Sequence, residues 1–210
     1  MIYRALFGLG CVLLCSCASV SVKKASYLSR FPAKAVPQKI LVKPFAFYDP
    51  ALNVDRSGEK LTEFKYEFSE QFTQDLLPRL TGYVAPARAI ASTAPLPHGN
   101  IWLITGRFDR VNQGSWLLRT FVGFGLGASK LETSVMVTDL SGPTLRPFVM
   151  IQTTGGTNIT PPGFGLLRSG LTFDSIRTAR EVTAALSEYL YQQGVFPYRA
   201  AIAPKRTGGN

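Results

Sequence analysis

His98 is the single histidine of the chain. It lies between Pro97 and Gly99 with no second ligand at a metal-binding spacing, which argues against a zinc site and against a serine–histidine pair. Asp49 and Asp55 share one polar loop and, with Asp109, are the carboxylates that could hold a cation or act as acid and base. Solvated turn residues are the plainer reading of the two in the loop. A hydrolase of envelope polymers working through Asp49, Asp55 or Asp109 is therefore the minority expectation, and no metal and no cofactor are expected.

Two glycine-rich stretches invite a phosphate-binding reading: Thr120–Ala128 and Pro161–Leu167, each containing Gly-Phe-Gly-Leu. A phosphate loop needs Gly directly before Lys and then Ser or Thr, whereas here Ser129 precedes Lys130 and Leu131 follows. Gly123-x-Gly125-x-x-Ala128 approaches a dinucleotide fingerprint, but that motif must open a helix and here a strand follows. Alternating glycines instead let a backbone lie flat against its own sheet, a neighbouring subunit or lipid. The flanking bases complete a candidate interaction surface of Arg119, Gly123, Phe124, Gly125, Gly127, Lys130, Gly163, Phe164, Gly165 and Arg168.

The three cysteines, Cys11, Cys15 and Cys17, all fall within the first 17 residues. Arg4, an apolar run from Ala5 to Leu14 and small residues after it make a secretory signal. At about ten residues the run is too short to span a bilayer, which takes about twenty. Leu14-Cys15-Ser16-Cys17 resembles the lipobox of signal-peptidase-II substrates, which implies acylation of Cys17. Cys15 follows the large Leu14, and Cys11 would leave too short an apolar region. Two or more acyl chains hold a protein firmly where one holds marginally, so the mature chain is expected to be membrane-anchored. Ala18 after the cysteine resembles the outer-membrane default of enteric-type sorting, giving an outer-membrane lipoprotein facing the periplasm. Cys11 and Cys15 leave with the signal, so no internal disulfide is expected.

Lys and Arg number 23 against 13 Asp and Glu, a formal net charge of +10. The excess is spread along the chain, which suits an anionic envelope surface such as phospholipid headgroups. Export argues against nucleic acid as the partner.

The elements that would position these residues can be read from periodicity. Residues 1–16 read as signal, 17–38 as a lipidated tether with Pro32 and Pro37 as breakers, 39–200 as one domain and 201–210 as a basic flexible tail. Lys39–Phe47 has strand character interrupted by Pro44. Leu61, Phe64, Phe68, Phe72 and Leu76 form one helix face, with Pro78 expected to end the helix. Trp102, Ile104 and Phe108 share one face of a strand, opposite Thr105, Arg107 and Asp109. Leu131, Thr133, Val135 and Val137 alternate in the next strand, and Arg146–Thr154 makes another. Ile176, Ala179, Val182, Leu186 and Leu190 mark a second helix, with Thr172 or Asp174 as its cap and Gly194 at its end. The expected fold is α+β: one mainly antiparallel sheet of about four or five strands, with two amphipathic helices on one face.

Thr105-Gly106-Arg107-Phe108, Asn112-Gln113-Gly114-Ser115, Arg119 ahead of Gly123-Phe124-Gly125-Leu126-Gly127, Ser129-Lys130 and Asp139-Leu140-Ser141-Gly142 together resemble an uncharacterised family of bacterial lipoproteins, domain-of-unknown-function family 4410. The resemblance implies an envelope lipoprotein and carries no activity that could be assigned to residues. The leading expectation is an anchored binding or assembly module with an unidentified periplasmic or outer-membrane protein as partner. A homo-oligomeric structural or secretion-associated lipoprotein is the alternative.

Overall fold

Phe64, Phe68, Phe72 and Leu76 recur every four residues, so on a 3.6-residue period they fall along one stripe. They lie on α1, Gly58–Tyr83. The computed structural model describes residues 20–27, 36–114, 129–142, 145, 147–156 and 170–194. Phe68, Phe72, Leu76 and Leu80 are buried against the sheet. Pro78 does not end the helix but lies inside it. A proline in a helix interior costs about 3 kcal/mol through its missing N–H and its clash with the preceding turn. Pro78 is on the exposed side, where water can serve the freed carbonyl. Leu80, beyond it, is fully buried, and burying a leucine contributes about 1.5–3 kcal/mol.

Eight strands form one sheet among the described residues: β1 (Val20–Tyr27), β2 (Lys39–Val42), β3 (Ala46–Phe47), β4 (Leu52–Asn53), β5 (Ala87–Ala89), β6 (Ile101–Asn112), β7 (Lys130–Asp139) and β8 (Pro147–Gly155). The order is β1-β8-β7-β6-β2-β5, with β3 and β4 pairing further along β6. β6, β7 and β8 form the antiparallel meander that alternation predicts. The sheet as a whole is mixed and larger than the expected four or five mainly antiparallel strands. β2, β3 and β4 each run parallel to a successive stretch of β6, pairing Ile40 with Trp102, Phe47 with Phe108 and Leu52 with Val111.

Pro44 is the physical reason for part of this difference. It cannot donate to a ladder, and the expected single strand breaks at residues 43–45 into β2 and β3. The break is satisfied from α1. The Phe45 N–H donates to Ser69 Oγ at 2.9 Å, and the Ser69 hydroxyl donates back to the Phe45 carbonyl at 3.1 Å.

A second correction concerns the segment read as tether. Val20–Tyr27 is an edge strand, antiparallel to β8, with Val20 opposite Gly155 and Lys24 opposite Gln152. Its composition of Ser, Ala and Lys hides it, because an edge strand needs apolar side chains only on its inner face. Pairing is shifted between Val22 and Lys24, leaving Lys23 as the extra residue of a bulge.

α2 spans Gly170–Gln192. It starts ahead of the expected cap, so Thr172 and Asp174 lie within it. Gly194 takes φ 69° just after its end, the left-handed conformation anticipated there. Both helices pack on one face. Their buried residues share one core with Trp102, Ile104 and Phe108 of β6, Val135 and Val137 of β7, and Val149 and Ile151 of β8. The Phe108 ring lies 5.0 Å from Phe68 and 5.4 Å from Phe72, edge-on to both. Among the described residues, the opposite face is uncovered and largely polar, apart from a small cluster of Leu41, Leu103 and Leu140 near one end. Among the described residues, no helix is long and apolar enough to cross a membrane.

Candidate functional site

Register brings five strand ends to one corner of the sheet. Gly155, at the end of β8, pairs with Val20 at the start of β1 and with Leu131 of β7. Lys130, opening β7, pairs with Asn112, which closes β6. Asn53 of β4 in turn pairs with Asn112. Turn chemistry begins there as expected, with the Gly114 N–H donating to Asn112 Oδ1 at 2.8 Å and Gly114 at φ 72°.

The connections that contain the two glycine-rich stretches both start from this end. One leaves β6 at Asn112 and returns to β7 at Lys130. The other leaves β8 at Gly155 and enters α2 at Gly170. Their bases are joined: Ser129 Oγ donates to Asp174 Oδ2 at 2.7 Å, and both residues are buried. Gly156 closes the same junction. A Cβ there would stand 2.5 Å from the Ser129 carbonyl oxygen, so the two backbones approach as only glycine allows. Gly155 likewise leaves room for the Val20 side chain.

On the open face at this end, one carboxylate stands among three cations. Lys130 Nζ lies 2.9 Å from Glu132 Oε1, Lys23 Nζ 3.8 Å from the same oxygen, and Arg110 Nε 4.0 Å from Oε2. Burial raises the Glu132 pKa, but the Lys130 hydrogen bond and the charges of Lys130, Lys23 and Arg110 together outweigh it and hold the carboxyl below its ordinary value. Lys24 is exposed next to Lys23. The corner therefore carries more positive charge than its carboxylate neutralises. Further along the face, Arg107 Nε bonds Asp109 Oδ1 at 2.8 Å, and the Ser134 hydroxyl donates to Asp109 Oδ2.

Of the residues singled out from sequence, Lys130 is at this corner. Arg119, Gly123, Phe124, Gly125, Gly127, Gly163, Phe164, Gly165, Arg168 and Cys17 lie outside the described residues. The structure does not gather the three candidate carboxylates into one engaged pair. Asp49 is exposed and bonded to Lys65 at 2.7 Å, Asp55 is exposed in its loop, and Asp109 is engaged with Arg107 and Ser134. His98 is exposed in the connection from β5 to β6. Sequence reasoning missed Glu132 and Ser129 and took Asp174 for a cap. The alternation of Lys130 with Glu132 on one strand face was a usable signal for the first. Nothing local pointed to the pairing of Ser129 with Asp174.

A family model, Domain of unknown function (DUF4410), matches residues 35–158, more than half of the chain. No curated protein matches it. Among solved structures, the chain is similar to the PelC dodecamer from Paraburkholderia phytofirmans at 13% identity and TM-score 0.44, covering 80% of this chain and 97% of that one. It is also similar to a DUF330 protein from Xanthomonas campestris, at 14% identity and TM-score 0.35, covering 78% and 91% of the two chains. A DUF4136 family protein from Bacteroides thetaiotaomicron shows 11% identity and TM-score 0.35, with 82% and 97% covered.

Proposed function

The chain belongs to the family of the domain of unknown function DUF4410, and on that premise we propose that it is a lipid-anchored envelope protein acting as a binding or assembly module. Cys17 carries the anchor in this reading, in the outer membrane and facing the periplasm, and the glycine-rich stretches face an unidentified protein partner. The observation that carries it is the convergence at one sheet end: the connections containing both stretches start there, held together by Ser129 and Asp174.

Crosslinking in cells followed by recovery of the anchored chain tests the reading. Gly125→Glu is expected to abolish partner recovery while the circular dichroism spectrum stays that of the parent. Unchanged recovery counts against the glycine-rich stretches as the contact. Metabolic labelling with an alkynyl fatty acid is expected to mark the parent and not Cys17→Ala.

A homo-oligomer is the second reading, favoured by β5, which among the described residues is an edge strand of the sheet. Unpaired strand edges are templates for pairing with another chain. Light scattering of the detergent-solubilised chain that shows only monomer at high concentration removes it.

A further inference from the structure

We propose that the Val20 end of the sheet is held against the bilayer surface and that Lys23, Lys24, Arg110 and Lys130 are its contact with anionic phospholipid headgroups. The inference rests on acylation of Cys17 and deepens that reading.

Chain length supplies the first argument. Only Ala18 and Ser19 separate Cys17 from Val20, and three extended residues reach about 10 Å. Val20 is not part of a loose tether. It is buried, and its side chain occupies the space that Gly155 leaves by lacking a Cβ. An acyl chain inserted at Cys17 therefore holds a fixed point of the domain within about 10 Å of the headgroups, comparable with the Debye length near physiological salt.

Charge supplies the second. Lys23 and Lys24 follow Val20 by three and four residues on β1, Lys130 opens β7, and Arg110 lies two residues before the end of β6. Among the residues of β1, β7 and β8, no other side chain is cationic, and the far end of β7 is acidic at Asp139. Lys23, Arg110 and Lys130 gather around one carboxylate, Glu132, and Lys24 is exposed beside Lys23, so three of the four positive charges remain in excess. On the adjoining corner at the start of α1, Asp55 and Glu59 balance Arg56 and Lys60. The β1–β7 corner thus carries an unbalanced positive charge that the adjoining corner does not. The bulge at Lys23 places two consecutive lysines at a sheet edge, where they also discourage pairing with another strand.

Each lysine or arginine within a Debye length of an anionic leaflet strengthens attraction about fivefold. A corner of this kind would set how the domain stands on the membrane, with the glycine-rich connections meeting a partner at membrane level.

Amine-reactive footprinting of the full, processed chain in vesicles tests this, with mass spectrometry reading each lysine. Phosphatidylcholine vesicles are compared with vesicles of phosphatidylcholine and phosphatidylglycerol. Lys23, Lys24 and Lys130 are expected to react several-fold more slowly only in the anionic vesicles, and high salt should abolish the difference. Lys39, Lys43 and Lys60 should react alike in both. Equal labelling of the first three lysines in the two vesicle types overturns the proposal, as does protection centred on Lys39 and Lys43. The mass of the peptide beginning at Cys17, read in the same experiment, separates the two readings. An unmodified cysteine removes the anchor and this inference with it, whereas an acylated cysteine with uniform labelling removes the inference alone.

Discussion

Ser129 Oγ donates to Asp174 Oδ2 across a separation of 45 residues, at 2.7 Å and shielded from solvent. The bond joins the start of β7 to the first turns of α2, the two elements that follow the glycine-rich stretches in sequence. Hydrogen bonds to a carboxylate are shorter and stronger than neutral ones, and one made inside the protein is costly to leave unmade.

Ser129→Ala is accordingly expected to lower the unfolding free energy by about 1–3 kcal/mol. Urea denaturation followed by circular dichroism measures it. A midpoint equal to that of the parent would mean that the junction is held by something else.

Gly106 faces the Phe45 ring, and a methyl group at Gly106 would overlap that ring. The ring cannot easily give way, since its centroid is 4.7 Å from Phe72 and 5.6 Å from Phe108. Overpacking of a filled core costs about 1–3 kcal/mol. Gly106→Ala should lose about that much in thermal denaturation, and Phe45→Leu in the same chain should recover part of it. No recovery would show that the cost lies in the β6 backbone.

Glu181 of α2 is buried, and burial pushes its carboxyl above the ordinary value, partly offset by the charge of Arg180. The folded state therefore holds this proton more tightly than the unfolded state does. The resulting stability is fully present below the unfolded pKa and is lost as pH rises through the folded one. Glu181→Gln should be more stable than the parent at neutral pH, with the difference gone below about pH 4. Melting temperatures across that range check it, and a Gln variant that melts lower at pH 7 would contradict the sign.

Parts of the architecture were legible because their signal is local. The stripe Phe64, Phe68, Phe72 and Leu76 and the alternation Leu131, Thr133, Val135 and Val137 each state one buried face in a few consecutive residues. The left-handed Gly194 at a helix end and the turn after Asn112 rest on equally local chemistry. Pro78 misled because the local rule for proline was offset by tertiary contacts, among them the burial of Leu80 beyond it. β1 was invisible for a related reason. Its neighbour β8 lies more than 120 residues away, and lysines at an edge leave too little apolar pattern to reveal a strand.

By itself the sequence determined the two helices, the meander from β6 to β8, the side of each that enters the core, and the residues that make up the family pattern. These follow from periodicity, which every short window of chain carries. Only the tertiary structure decided that β2, β3 and β4 run parallel to β6, that β1 closes the other edge, and that Ser129 meets Asp174 while Lys23, Arg110 and Lys130 meet around Glu132. Such contacts join residues distant in sequence. Their partners are selected by how the whole core packs, a quantity that no local window contains.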